Sequence, residues 1–185
     1  MSATLISHID TKANTIVGAQ GPVAVGALLE LGVHLLDLIR FLTGEELREV
    51  QCTMSPAPDA GPETRVQAQV RTLTGILCTL DIARVESQRQ GRAEFRGTKG
   101  KITADWVART LMRTTTDGVS YQRTLEAHPT ILSTLQAFIR AVRTQTTPPI
   151  TGLDGCRAVE AADACYRSAA LNGAAVQCEY GAERS

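Results

Sequence analysis

Glu30, His34 and Asp37 stand at steps of four and three residues in one stretch, Gly26-Ala-Leu-Leu-Glu-Leu-Gly-Val-His-Leu-Leu-Asp-Leu-Ile-Arg-Phe-Leu-Thr-Gly44. On a helix of about 3.6 residues per turn, Glu30 and His34 lie one turn apart and share a face. A carboxylate beside an imidazole can hold one tautomer, favour the protonated ring, or relay a proton. Imidazole titrates near neutrality and works in either direction, so His34 is the expected general acid or base. Glu30 would orient it or share its proton. The plainer reading is a solvated pair, the commoner fate of Glu-x-x-x-His on a helix surface.

The helix that must carry these groups is announced by Leu28, Leu31, Leu35, Leu38 and Leu42, one apolar stripe at steps of three and four. Projected at about 100° per residue, Glu30, Asp37 and Phe41 fall opposite it, and His34 lies at its edge. Before the helix, residues 3–14 give a weak strand signal that includes His8, and the Gly/Pro-rich residues 15–26 read as a loop.

After the helix, strands arrive in series. A short strand is expected over Leu47 to Met54, then Pro-rich turn chemistry to Pro62. Thr64 to Leu73 and Ile76 to Val85 alternate around Thr74-Gly75, a hairpin with Gln67, Gln69 and Arg71 on one side and Val66, Ala68 and Val70 on the other. Gly91 to Phe95, Lys101 to Asp105 and Thr110 to Thr115 extend the sheet through the turn Gly97-Thr-Lys-Gly100. No helix start follows that turn to supply free amides, so it does not read as a phosphate site. Two helices close the chain. Pro129 to Thr144 places Ile131, Leu135, Phe138 and Val142 on a stripe, and Cys156 to Asn172 follows with Asp154 as its expected cap. Ala174 to Tyr180 is the last expected strand. Arg71, Arg84, Trp106 and Tyr121 are available as polar or stacking walls of a pocket, or as ordinary surface and core. His128, before Pro129, reads as a local cap.

These elements predict an α+β domain over residues 1–185, an open, mostly antiparallel sheet of about six strands with helices packed on one face. Nineteen basic and nineteen acidic residues cancel, which leaves no electrostatic footprint for nucleic acid or an acidic membrane. The five cysteines are scattered without a CxxC pair, which argues against a disulfide framework or a zinc site and suits a reducing cytoplasm. The apolar run from Ile16 to Leu42 carries Pro22, Glu30, His34 and Asp37, a poor membrane span. No secretory leader pattern opens the chain.

The Gly26–Gly44 wording resembles the helix that opens the C-terminal domain of the Gfo/Idh/MocA oxidoreductases, mostly NAD(P)-dependent sugar and cyclitol dehydrogenases. That family reads approximately Gly-Gly-x-Leu-x-Asp-x-Gly-x-His-x-x-Asp there. Gly97-Thr-Lys-Gly100 and the Pro148-Pro-Ile-Thr-Gly-Leu-Asp-Gly155 approach to the last helix are similar too, so the resemblance spans about residues 24–180. It implies that Glu30 and His34 line a substrate pocket, with Glu in place of the family's usual Asp, and that Asp37 is the more structural of the three. It also implies a preceding Rossmann domain with Gly-x-Gly-x-x-Gly and Glu-Lys-Pro motifs, neither of which occurs here. Only about two dozen residues precede the helix, whereas a βαβ unit takes roughly 30 or more.

The chain is therefore expected to bind no cofactor alone, NAD(P) entering only if a partner supplies that domain. Three readings follow: the substrate half of a redox enzyme, with a possible separate cofactor-domain subunit; a cofactor-free lyase or isomerase using Glu30, His34 and Asp37; or a non-catalytic oligomeric scaffold. The opening Met1-Ser-Ala favours a naturally short protein over a fragment. A small polar substrate and a homo-oligomer through the open sheet face are the expected partners.

Overall fold

Val66, Ala68, Val70 and Thr72 are buried while the residues between them are exposed, the period-two signature of a strand with one face on a core. A computed structural model describes residues 2–9, 15–18, 21–56, 61–84 and 89–180 of the chain. The strands are β1 (Ser2–Ile9), β2 (Thr15–Gly18), β3 (Gly21–Ala24), β4 (Leu47–Ser55), β5 (Arg65–Thr72), β6 (Leu77–Arg84), β7 (Gln90–Gly97), β8 (Gly100–Asp105), β9 (Thr110–Thr115), β10 (Ser120–Thr124) and β11 (Val176–Gln177). The helices are α1 (Val33–Thr43), α2 (Thr130–Thr144) and α3 (Gly152–Ala170).

Nine strands form one open sheet in the order β10-β9-β8-β7-β1-β6-β5-β4-β11. The α+β class and the open sheet stand as expected. The strand count is higher, and the sheet is mixed because β1 runs parallel to β6 while antiparallel to β7. Ser-Tyr-Gln-Arg-Thr of β10 is exposed throughout, so no apolar alternation announces it. The expected loop over 15–26 contains instead the hairpin β2–β3. Of the weak strand signal over 3–14, residues 10–14 lie outside the described residues, Lys12 among them.

The helix over the centre of the sheet opens with a wide π-type turn, Leu28–Gly32, before α1. That turn rotates the buried stripe to Leu28, Leu31, Leu35, Leu36 and Ile39, and Leu42 ends up 47% exposed. Each fully buried Leu or Ile contributes about 2 kcal/mol. Gly32 lets the turn settle on the sheet: a Cβ there would lie 2.5 Å from Leu28 Cδ1 and 3.0 Å from Ile82 Cδ1. Gly44, at φ 68°, stops the helix, its amide donating to Arg40 O at 2.8 Å.

Helix α3 lies against β4 on the same side as α1 and buries a small-residue face, Ala158, Ala161, Ala162, Ala164 and Cys165. Its cap is Thr151, with Asp154 completing a reciprocal capping box three residues on. Strand β11 pairs with only Val50 and Glu49 of β4, and the next inward amide, Cys52 N, is satisfied by Ser168 Oγ at 2.8 Å. Helix α2 differs. Its stripe of Ile131, Leu135, Phe138 and Val142 is 54–78% exposed and meets no core among the described residues. Among the described residues no helix is long and apolar enough to cross a membrane.

Candidate functional site

The site is built at the start of the first helix. Its leading amides are held from thirty-five residues away: Ala27 N donates to Glu63 O and Leu28 N to Glu63 Oε1, both at 2.8 Å. Glu63 is 3% exposed, and Tyr166 on α3 donates its hydroxyl to the same oxygen at 3.0 Å. Burial, reinforced by the Glu63 charge, holds the Tyr166 phenol well above its ordinary range, so it stays a donor. A carboxylate at a helix start also suits the positive end of the helix dipole. Nothing in Gly-Pro-Glu-Thr marks Glu63 as more than turn chemistry.

One turn in, Glu30 projects to the end of β6. Arg84 Nε donates to Glu30 Oε2 at 2.7 Å, and an Arg84 terminal nitrogen donates both to the same carboxylate and to Val25 O at 2.6 Å. These side chains are 5% and 13% exposed, a nearly buried ion pair. Arg84, one of several possible walls on sequence grounds, is thus brought directly onto Glu30.

His34 follows one turn later and is exposed. It lines an open cleft of about 670 Å³ between α1 and the α2–α3 connection, together with Asp37, Arg40, Phe41, Ile150 and Asp154. Asp37 lines the same cleft as His34, and Glu30 is not among its lining residues. Asp37 is in turn engaged: Arg40 lies 3.3 Å from it, forks onto Glu46 with two bonds of 2.8 Å, and approaches Asp154 Oδ1 at 3.7 Å. The Arg40 bond holds the Glu46 carboxyl below its ordinary value, and the Thr151 amide does the same for Asp154. The cleft therefore joins an exposed imidazole, a fixed charge network and an apolar rim.

The other sequence-nominated groups are dispersed. Arg71 lies on the open sheet face opposite Glu49. Tyr121, on β10, is 62% exposed. His128 Nε2 shares a 2.8 Å hydrogen bond with Ser133 Oγ in the first turn of α2, in keeping with a local cap. Trp106 lies over Gly91. All five cysteines are free.

The family description for the GFO/IDH/MocA C-terminal domain matches residues 10–103. Myo-inositol 2-dehydrogenase of Thermotoga maritima is 31% identical over 146 residues, which are 72% of this chain and 43% of that protein. Among solved structures, UDP-N-acetylglucosamine 3-dehydrogenase from Acidithiobacillus ferrooxidans superposes with a TM-score of 0.79 at 18% identity, over 92% of this chain and 54% of that one. The aldose-aldose oxidoreductase of Caulobacter crescentus gives 0.79 at 20% identity, over 95% and 55%. These structural matches speak to the fold. The chain spans about half the length of the relatives it matches.

Proposed function

The chain belongs to the GFO/IDH/MocA family as one of its C-terminal domains, and on that premise we propose that it is the substrate-holding half of an oxidoreductase for a sugar-like or cyclitol-like molecule. The observation that carries this reading is His34 in the α1 cleft, one turn beyond a Glu30 locked by Arg84. Ring hydroxyls suit such a surface, because imidazole, guanidinium and carboxylate between them offer both donors and acceptors. His34 handles the proton, the Glu30–Arg84 pair orients, and Asp37 keeps Arg40 in place.

The sequence carries neither a Gly-x-Gly-x-x-Gly nor a Glu-Lys-Pro motif, which supports reading this domain as the half that does not hold the dinucleotide. At the start of the first helix Glu63 engages the leading amides and at α3 the Thr151 side chain takes that of Asp154, whereas α2 begins without a side-chain cap. On this reading the cofactor is held by a domain other than this one, whether on the same polypeptide or on a separate subunit.

Calorimetric titration with myo-inositol tests the site. His34→Ala is expected to weaken binding about tenfold, and unchanged affinity would remove His34 from it. Titrating NADH against the chain tests the cofactor assignment, since saturable binding would overturn it.

The open sheet face favours a homo-oligomer beside this role. Thr4, Gln51, Gln67, Gln69 and Thr79 line a shallow concavity of about 430 Å³ there. Amides and hydroxyls both donate and accept, so two copies related by a two-fold axis can bond through the same patch. Sedimentation at micromolar concentration checks it, a monomer being the adverse result. An oligomer whose ligand binding ignores His34→Ala would instead support a non-catalytic scaffold.

A further inference from the structure

We propose that Trp106 is a stacking platform for one face of a saturated, polyhydroxylated ring, set across the central strand from the start of the first helix. The inference rests on the sugar-like substrate class above and adds the residue that selects for the ring.

The argument begins with a row of three residues across the sheet. Ser7 on β1 is opposite Ile82 on β6 and opposite Gly91 on β7. Ile82 and Gly91 are buried and face the helices, whereas Ser7, between them, is partly exposed. Above Ile82 sits the π-type turn, as the Gly32 contact shows. Above Gly91 sits the indole of Trp106: a Cβ at Gly91 would lie 2.0 Å from Nε1 and 2.5 Å from Cδ1 and Cε2. The two covers stand over strands two spacings apart, about 10 Å. Arg84, two residues beyond Ile82 on the same face, brings the Glu30 pair to this end of the sheet.

The turn that carries the indole is held in place. Trp106 N donates to Gly91 O at 2.9 Å, and Asp105 Oδ1 takes the amides of Val107 and Ala108 at 3.0 and 2.7 Å. Arg109 closes the turn in the left-handed region at φ 55°, where a residue with a side chain carries of order 1 kcal/mol of strain. Its carbonyl is pinned by Leu125 N at 2.7 Å. Despite this anchoring Trp106 remains 38% exposed. An indole carried on a fixed turn and left part-open offers a flat apolar surface that suits the C–H face of a pyranose or cyclitol. The Ser7 hydroxyl and the charged groups at Glu30 and Arg84 suit the ring's equatorial hydroxyls.

Trp106 is the chain's single tryptophan, so its emission reports on this surface alone. Titration with myo-inositol, and separately with UDP-N-acetylglucosamine, is followed by fluorescence and calorimetry in parallel. The expected result is a saturable emission change with the calorimetric midpoint, a loss of affinity of about tenfold in Trp106→Ala, and recovery to within about threefold in Trp106→Phe. Binding heat with unchanged emission and an unaffected Trp106→Ala overturns the platform while leaving the substrate-half reading intact. Absence of binding heat for both ligands overturns both.

Discussion

The carboxylate of Glu63 occupies the space a side chain on Gly26 would need. A Cβ at Gly26 would lie 1.9 Å from Glu63 Oε2 and 2.1 Å from Oε1, and from that position Oε1 reaches the Leu28 amide. The glycine that opens the motif is there for an acid thirty-seven residues later. Gly26→Ala is therefore expected to expel the carboxylate and strand a buried amide, at a cost of about 3 kcal/mol. Glu63→Gln keeps the shape and an acceptor but loses the charge, and about 1 kcal/mol is expected there. Urea unfolding checks both, and equal stability of the three proteins would contradict the packing described.

The Glu30–Arg84 pair makes a second prediction. Removing one partner of a nearly buried ion pair takes most of the compensation from the other charge, which costs up to about 3–5 kcal/mol. Arg84→Met and Glu30→Gln should each destabilise on that scale. Arg84→Met with Glu30→Leu should recover most of the stability while abolishing ligand binding, since well-packed apolar replacements of such pairs are often near neutral. A double variant as unstable as the single ones would mean that the pair does more for the fold than orient a ligand.

The acid limb of stability follows from Glu46 and Asp154. Both carboxyls titrate below their usual values of 4.5 and 3.8 in the folded chain, Glu46 through Arg40 first and Asp154 through Thr151 first. A depressed folded pKa favours the native state above the unfolded value, and that contribution is lost as pH falls through the folded one. Stability is thus expected to hold from neutrality to about pH 5 and to decline below pH 4.5. Glu46→Gln should lower the plateau and flatten that decline, with only a small change because both groups remain about one third exposed and are screened by solvent. Thermal midpoints between pH 3 and pH 7 provide the check.

What the sequence disclosed, and what it withheld, divides along local against distant physics. Strand alternation at Val66, Ala68 and Val70, the Thr74-Gly75 turn and α2 are set by near neighbours and are where the spacing put them, whereas α3 begins four residues before the expected Cys156 because Thr151, not Asp154, is its cap. The parallel pairing of β1 with β6 joins residues about seventy-five apart and has no local signature. Likewise the bond from Arg84 to Glu30 joins residues fifty-four apart, and nothing in the helix that carries Glu30 announces it. Glu63 reads as part of a turn because its partners are the first helix and Tyr166 of α3. Even the α2 stripe is legible as amphipathic, while the identity of what its apolar side meets is not a local property.

That stripe carries the last prediction. Leu135, Phe138 and Val142 are 54%, 56% and 62% exposed, so deleting them takes little from the core of this chain. Six large side chains from Ile131 to Val142, each about half exposed or more, present roughly 600 Å² of apolar surface, at the upper end for a soluble monomer. Phe138→Glu should leave the thermal midpoint within the shift that about 0.5 kcal/mol produces, as for an ordinary surface change. It should also raise solubility and lower the binding of a hydrophobic dye. Light scattering and dye fluorescence on the two proteins decide it: a sharp fall in midpoint would show that α2 packs within this chain, and unchanged dye binding would show that its stripe is not the exposed apolar surface.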